Sequence, residues 1–535
     1  MTTLTAQQAY DRLDPEKWAQ ATIPERLHLL EEVRDNLKTY AEELAHADAD
    51  MKNAKMGEHL YTLGLSMFAT AGPLGNAVTA SIQLYESLAK GEMLSPIKVT
   101  QVREGLFDLQ VFPQTAKDKV LSGTQRGHLR VKGEPTQVNP LDKAPGVIAI
   151  LGAGNYSSSL EMIKALFWEN KAVIHKPHHN NDASDRVWEK VLEPLVAYGA
   201  LCFVPSSEGR ALTAVDGLHA IYFTGSTAVA KAIMASTDTP FVAECGGNNP
   251  CIVVPGDRPW TDKELAHQAL QIATAGKLNG GAVCGRPQTI VTSKHWPQRE
   301  AFLDALRTAI AETTFANGTY YPGSEKVVAA FREAHPDAEA LQPESGAYRA
   351  GEFLLITEVD EDAYAVKNEA FCQIFGEVSL DVPAEAEAFL GEAVRFCNET
   401  LLGSLGCMLL VDDDTLKANR DAVEEAVTDL NYGGIAVNTI PPLIFANAYL
   451  TWGGNEEGDL VSGSGNFGNL LNVENIEKSI LYDKFVSPGH LLMTSKEAFE
   501  HLMVNFTRYT LEPTWRNLTC LAGTAMIDSL RGKDF

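Results

Sequence analysis

Between residues 24 and 51 apolar side chains recur at helical spacing (Leu27, Leu30, Val33, Leu37) with charges between them, which predicts a long amphipathic helix. A second helical region is expected over 58–90, and 105–111 alternates like a strand. Residues 127–143 are polar, carry Pro135 and Pro140, and alternate at Leu129 and Val131, the pattern of a surface hairpin or of an arm that pairs with another subunit. From Pro145 the pattern changes. Short apolar runs at 147–151, 172–175, 201–204, 220–223 and 241–243 take turns with helical stretches at 158–168 and 182–198. Such alternation predicts parallel strands with helical crossovers, an α/β open sheet whose ligands sit at the carboxyl ends of its strands. After Pro255 a second alternation runs to Val437, with helices expected at 262–275 and 296–312 and a strand at 289–291, so a second α/β domain follows. Residues 473–485 read as extended. The tail beyond them, about fifty residues, is too long for fraying alone and carries Leu491, Leu492, Met493, Phe499 and Leu502 in a helical pattern.

The 535-residue length fits two or more domains, and 45% hydrophobic with 21% charged residues is the profile of an ordinary globular chain. The formal net charge of -26 would repel a polyanion, so nucleic acid and anionic membranes are poor partners. Residues 1–14 are polar and do not read as a secretory leader. No apolar run approaches the ~20 residues a membrane span requires. Eight cysteines lie scattered without CxxC pairs or zinc spacing, which points to free thiols, no metal, and the cytoplasm.

Cys284 lies in Asn279-Gly-Gly-Ala-Val-Cys284-Gly285, where glycines let the backbone approach a ligand and leave the thiol reachable. A thiol on such a loop can act as a nucleophile, and on local sequence it is equally a buried cysteine in a glycine turn. Glu244 closes an apolar strand before Gly246-Gly247, a position suited to a general base or to an ordinary cap. Asn155 follows Gly152-Ala-Gly154 between strand and helix, where its amide can serve an oxyanion or only a turn. Phe223-Thr-Gly225-Ser226-Thr227 can receive a pyrophosphate at a helix N-terminus. Lys176, ending another strand, and Gln373 in Gln373-Ile-Phe375-Gly376 can reach ribose hydroxyls.

Taken in order, these segments resemble the aldehyde dehydrogenase superfamily over about residues 24–485. The resemblance also rests on Ala144-Pro-Gly-Val-Ile, Lys176-Pro177, Glu244-Cys-Gly-Gly-Asn-Asn-Pro250, Gly434-Ile-Ala-Val-Asn438, Trp452-Gly-Gly and Ser462-Gly-Ser-Gly465. It implies Cys284 as nucleophile, Glu244 as the base that activates water, and Asn155 as oxyanion donor. It further implies NAD or NADP held by Lys176, His179, Gly225, Ser226, Val229, Gln373 and Phe375. The activity implied is oxidation of an aldehyde to an acid through a cysteine thiohemiacetal and thioester. A CoA-acylating enzyme and a non-catalytic protein of the same fold are the rivals. A Rossmann-like cofactor domain is expected from 1–126 and 145–255, with a catalytic domain over 256–452. An oligomerisation arm is expected from 127–144 and 470–486, and a helical extension at 487–535; a homodimer or homotetramer follows.

Several positions depart from the family pattern. Ala153-Gly154 replaces a usual Pro-Trp, so a wall of the active-site pocket is lost or rebuilt. Ala230 and Asn248 stand where glycine and lysine are common, and Gln373 and Glu377 replace a glutamate and a proline. His179 occupies a position where NAD-preferring members carry a glutamate that would repel a 2′-phosphate. The Glu244–Cys284 separation exceeds the family's usual one, which implies a small insertion around 256–260. The segments 156–161 and 440–445 are expected pocket walls, and their apolar content favours an aliphatic or aromatic aldehyde over a charged one.

Overall fold

The computed structural model describes residues 4–56, 61–156, 158–312, 318–341, 352–454, 460, 462–463, 467–486 and 496–530. After two short helical turns at Ala6–Arg12 and Pro15–Ala19 come two long helices, α1 (Ile23–Met56) and α2 (Leu63–Leu88). Leu30, Val33 and Leu37 of α1 are fully buried, as their spacing requires. Three antiparallel strands follow: β1 (Lys98–Arg103), β2 (Leu106–Phe112) and β3 (Arg126–Lys132).

A five-stranded sheet comprises β4 (Val147–Leu151), β5 (Ala172–Lys176), β6 (Leu201–Phe203), β7 (Ala220–Gly225) and β8 (Phe241–Cys245). It is wholly parallel, in the order β6-β5-β4-β7-β8. The order reverses between β4 and β7, the switch point beyond whose carboxyl ends ligands of such sheets sit. The helix expected at 158–168 is short: α3 (Ser159–Ile163) passes directly into a π-helical turn, Lys164–Trp168. After β7 comes α4 (Thr227–Met234).

The remaining strands are β9 (Asn249–Val253), β10 (Pro287–Ser293), β11 (Glu339–Leu341), β12 (Phe353–Ile356), β13 (Ile374–Leu380), β14 (Gly406–Leu410), β15 (Gly434–Val437) and β16 (Ile476–Tyr482). With β1–β3 they form one eleven-stranded sheet, β1-β2-β3-β16-β15-β14-β9-β10-β13-β12-β11. Its central strands are parallel and fully buried. Two expectations change here. β9 already pairs in the large sheet, so that sheet takes in residues 249–253, ahead of the expected boundary at 256, as well as β1–β3. The arm segments pair with each other in cis, β3 antiparallel to β16, and β16 runs parallel to β15.

α5 (Asp262–Lys277) leads into the cysteine loop. The tail forms α6 (Lys496–Leu511) and α7 (Trp515–Leu530). α6 lies against α2 in the same chain: Glu500 Oε1 accepts from the Gly64 N–H, and Thr79 Oγ1 donates to the Thr510 carbonyl at 3.1 Å. Phe499 and Met503 are buried with Tyr61 and Leu65, while Leu491, Leu492 and Met493 lie outside the described residues. Among the described residues no helix is long and apolar enough to cross a membrane.

Candidate active site

Cys284 sits in a turn between α5 and β10, on a loop held by two asparagines. Asn249 Nδ2 donates to the Cys284 carbonyl at 2.6 Å and to the Arg286 carbonyl at 2.8 Å. Asn279 adopts φ 53 and donates to the Ala282 carbonyl at 3.1 Å, while its Oδ1 accepts from Tyr61 at 2.9 Å. Gly281 has φ 78, and a Cβ there would lie 2.6 Å from the Cys372 carbonyl carbon, so the loop demands glycine. Cys284 is half-buried. Burial, with Glu244 and Glu369 adding negative charge, pushes its thiol up to about 12, partly offset by the Trp452 indole N–H. The Trp452 ring fills a slot against Gly285, Gly406 and Gly434.

Glu244 extends from β8 and is 4% exposed, with neither carboxylate oxygen partnered among the described residues. Burial, reinforced by Glu161, raises its proton affinity well above the carboxylate range, and Lys164 opposes the rise. Its backbone pairs with Gly463, which pins the end of the strand. Asn155 lies just beyond β4 and donates from Nδ2 to the Ala282 carbonyl at 3.1 Å. The Asn279 amide and the Tyr320 hydroxyl both donate to the Asn155 carbonyl at 3.3 Å. One Asn155 hydrogen is thus spent on holding the cysteine loop, and an amide has two. The loop that carries the thiol and the loop that carries the amide are therefore joined directly.

At the switch point, Gly225 closes β7 and Ser226 caps α4, its Oγ accepting from the Val229 N–H at 3.4 Å. Val229 is 48% exposed on the first turn. Lys176, half-buried at the end of β5, lies over Gly209, and burial lowers its proton affinity. His179 is exposed and its ring packs on His178 at 4.1 Å. Burial first, then His179 and nearby lysines, push His178 down to about 4. The missing Pro-Trp wall is rebuilt: a Cβ on Gly154 would meet the Tyr321 hydroxyl at 2.8 Å and the His178 ring at 3.1 Å.

Two expected cofactor residues do not join this frame. Gln373 is 3% exposed, and its Oε1 accepts from the Gly318 N–H at 2.8 Å. Phe375 is fully buried in the large-sheet core, packed on Phe353 at 4.7 Å. Glu369 and Phe371 lie by the cysteine loop instead. Glu369 accepts from the Gly247 N–H and carries charge toward Cys284; burial pushes it up to about 7. Phe371 adopts φ 47, packs edge-on against Tyr321 at 4.9 Å and joins the apolar cluster of Ala282. Tyr156 and Glu161 bound the expected wall segment 156–161 and Trp452 opens Trp452-Gly-Gly, but none of the three was expected to act on the chemistry. The signal for Glu369 and Phe371 was present, since Glu369-Ala-Phe371 has the same spacing as Gln373-Ile-Phe375.

The other departures have structural partners. Asn248 Nδ2 donates to the Ala365 carbonyl and its Oδ1 accepts from Thr289, both at 2.6 Å. Glu377, fully buried, takes a two-pronged bond from Arg299 at 2.8 and 2.7 Å. In the expected insertion, Trp260 packs on Trp296 and on Phe485 at 5.1 and 4.8 Å. Among the described residues no group of three or more His, Cys, Asp or Glu could hold a metal ion. A small cleft is lined by Pro73, Asn76, Leu160, Phe445 and Phe467 among others. Tyr156 packs edge-on against Phe445, a wall of this cleft, at 5.4 Å.

A parallel five-stranded sheet, joined to a larger sheet that carries the glycine-loop cysteine, makes an α/β architecture. Residues 82–331 match the profile of the aldehyde dehydrogenase family. The 4,4'-diapolycopene-4,4'-dial dehydrogenase of Cytobacillus firmus is 30% identical over 174 residues, 31% of this chain and 36% of that protein. The alignment thus spans little more than a third of this relative's length. Among solved structures, the indole-3-acetaldehyde dehydrogenase of P. syringae in complex with NAD+ superposes with a TM-score of 0.63 at 19% identity, covering 89% of this chain and 88% of the other. The NADP-dependent glyceraldehyde-3-phosphate dehydrogenase of Bacillus halodurans, complexed with NADP, gives 0.62 at 15% identity, covering 89% and 90%. These structures share the fold.

Proposed function

We propose that the protein oxidises an aldehyde to a carboxylic acid through a thioester on Cys284, with NAD or NADP as cofactor. The observation that carries this reading is the convergence of Cys284, Asn155 and Glu244, supplied by three separate segments, beside the switch point of a parallel sheet. The residues at that switch point suit such a cofactor. Ser226 and the open first turn of α4 suit a pyrophosphate, Val229 offers an apolar face, and Lys176 with Glu369 suits ribose hydroxyls. His179 would not repel a 2′-phosphate, which keeps NADP in play beside NAD. When bound, the nicotinamide supplies the hydride acceptor that converts a thiohemiacetal to a thioester.

Burial makes the free thiolate costly, so Cys284 gives up its proton to solvent only as its sulfur adds to the substrate. The sulfur adds to the aldehyde carbon. The second Asn155 amide hydrogen and the Cys284 backbone N–H receive the oxyanion. In the second half Glu244 takes a proton from water, whose oxygen bonds to the acyl carbon. The C–S bond breaks, its electron pair returns to sulfur, and the acid leaves. A buried base serves water rather than CoA, which favours hydrolysis over acyl transfer. The mostly apolar cleft suits an aliphatic or aromatic aldehyde. All eight cysteines are free, in keeping with the cytoplasm. The exposed edge of β1 offers a surface for a homodimer or homotetramer.

A panel of aldehydes assayed with NAD and with NADP, in the absence of CoA, tests this reading. Reduced cofactor and free acid should appear together. Strict dependence on CoA would replace the hydrolytic reading with the acylating one.

A further inference from the structure

The Asn279 amide, which joins the cysteine loop to Asn155, is itself held by a buried group of side chains outside the reaction steps. Asn279 stands in the left-handed region at φ 53 and ψ 37, and its side chain reaches two loops. Nδ2 faces the Ala282 carbonyl at 3.1 Å, the Asn155 carbonyl at 3.3 Å and the Tyr320 hydroxyl at 2.9 Å, three acceptors for two hydrogens. Tyr320 in turn donates its own hydrogen to the Asn155 carbonyl. On the other side Oδ1 accepts from the Tyr61 hydroxyl at 2.9 Å. Turned round, the amide would aim its oxygen at two carbonyl oxygens, so one orientation alone serves every neighbour.

The two tyrosines are gripped from the N-terminal helices and from the tail. Lys52 of α1 is 1% exposed, and its Nζ donates to Asp48 Oδ2 at 2.8 Å. The same Nζ lies 4.3 Å from the centre of the Tyr61 ring and 5.3 Å from that of Tyr320. A desolvated ammonium over two ring faces attracts both, so it draws the rings together. Ser66 of α2 donates to the same Asp48 oxygen at 2.9 Å. Asn53 closes two bonds with the Tyr61 backbone, accepting from its N–H at 2.7 Å and donating to its carbonyl at 3.0 Å. Phe499 and Met503 of α6 share one buried cluster with Tyr61 and Leu65, and Leu278, the neighbour of Asn279, packs against that cluster.

Resting on the reading above, in which Asn155 and the Cys284 N–H receive the oxyanion, we propose that Tyr61 and Tyr320 are positioning residues. Clamped by Lys52 and walled in by the tail helix α6, they fix the Asn279 amide and so set the spacing of the two oxyanion donors. Those donors sit on separate loops, and Asn279 bonds to both loops. Without the Tyr61 hydroxyl, Oδ1 is left buried and unpaired, which costs more than the bond was worth; the amide then shifts and its bonds to Ala282 and Asn155 loosen. A misplacement of about 1 Å among reacting groups costs about a hundredfold in rate. The tail beyond residue 486 is by this account a support of the active site, reached through Tyr61 and Leu278.

The test uses full-length Tyr61→Phe and Tyr320→Phe, which keep the rings beside Lys52 and remove only the hydroxyls. Two reagents that need no cofactor read the result by mass of the Cys284 peptide. p-Nitrophenyl acetate acylates the thiol through a tetrahedral oxyanion, whereas iodoacetamide alkylates it by displacement, without one. In both variants acylation should slow by about ten- to a hundredfold, while alkylation changes less than about threefold. The kcat of aldehyde oxidation should fall with acylation, and the KM of NAD or NADP should hold within about twofold. Met503→Ala, in the tail, should slow acylation in the same way by about threefold, and it carries the test with Tyr320→Phe if Tyr61→Phe fails to fold. An unchanged ratio of acylation to alkylation in the folded variants overturns the proposal, even if Tm falls. Equal loss of both reactions marks a general collapse of the loop and overturns it too. A wild-type protein that oxidises no aldehyde, with variants that still lose acylation alone, would sink the functional reading and leave the positioning role standing.

Discussion

Glu369-Ala-Phe371 and Gln373-Ile-Phe375 have nearly the same sequence four residues apart, yet they end on opposite sides of the protein's chemistry. Phe371 turns out of the chain at positive φ before β13 begins, which leaves the first triplet by the cysteine loop. The second triplet enters the strand. Gln373 spends its carbonyl on Gly318, and Phe375 fills the notch opposite Gly276, where a Cβ would come within 2.2 Å of its ring. A short motif names residue types, while the point at which a strand starts decides which side chain faces a ligand.

The largest effect expected from this contrast is structural. Phe375→Ala should cost about 3–5 kcal/mol of stability, as large aromatic truncations in a core do, with cofactor affinity of the folded protein unchanged. A stable variant with weakened cofactor binding would reverse the two roles. Glu369→Gln should lower kcat/KM for the cofactor by about ten- to a hundredfold, roughly 1.4–2.8 kcal/mol, with little change in Tm. In the wild type the Glu369 carboxyl is pushed up to about 7, so it holds its proton below that pH and is charged above it. Cofactor KM should therefore rise as pH falls from 8 to 6, by at most about tenfold, and the profile should flatten in Glu369→Gln. The sign for stability is opposite. The folded value is raised, so this group's contribution falls as pH climbs from the ordinary carboxylate range to about 7. The smallest effect on binding belongs to Gln373→Glu. It restores the family's acid, yet KM should change less than about twofold while Tm drops, because the new charge is buried.

The alternation of strands and helices made both α/β domains legible, since parallel buried strands must be short apolar runs and their crossovers amphipathic. Cys284, Glu244 and Asn155 stand out in the sequence as candidates through glycine-bounded turns in a fixed order, and the Asn155–Ala282 bond ties the loop of Asn155 to that of Cys284. The large sheet takes in β9 ahead of the expected boundary because β9 follows β8 after only a glycine turn, so no break in composition marks the change of sheet. The burial of Glu161 was hidden because a glutamate on a short apolar helix looks like a surface position. Only the π turn and the Tyr156 bond show that it faces inward. Glu377 read as the loss of a proline, and its partner Arg299 is too distant in sequence to suggest a buried ion pair.

The central claim is a thioester on Cys284, released by water that Glu244 activates. Glu244→Gln, mixed with aldehyde and NAD or NADP and quenched in acid, should accumulate one acyl group on the Cys284 peptide and release about one equivalent of reduced cofactor. No acyl group on Cys284, or full turnover by Cys284→Ala, would contradict the account.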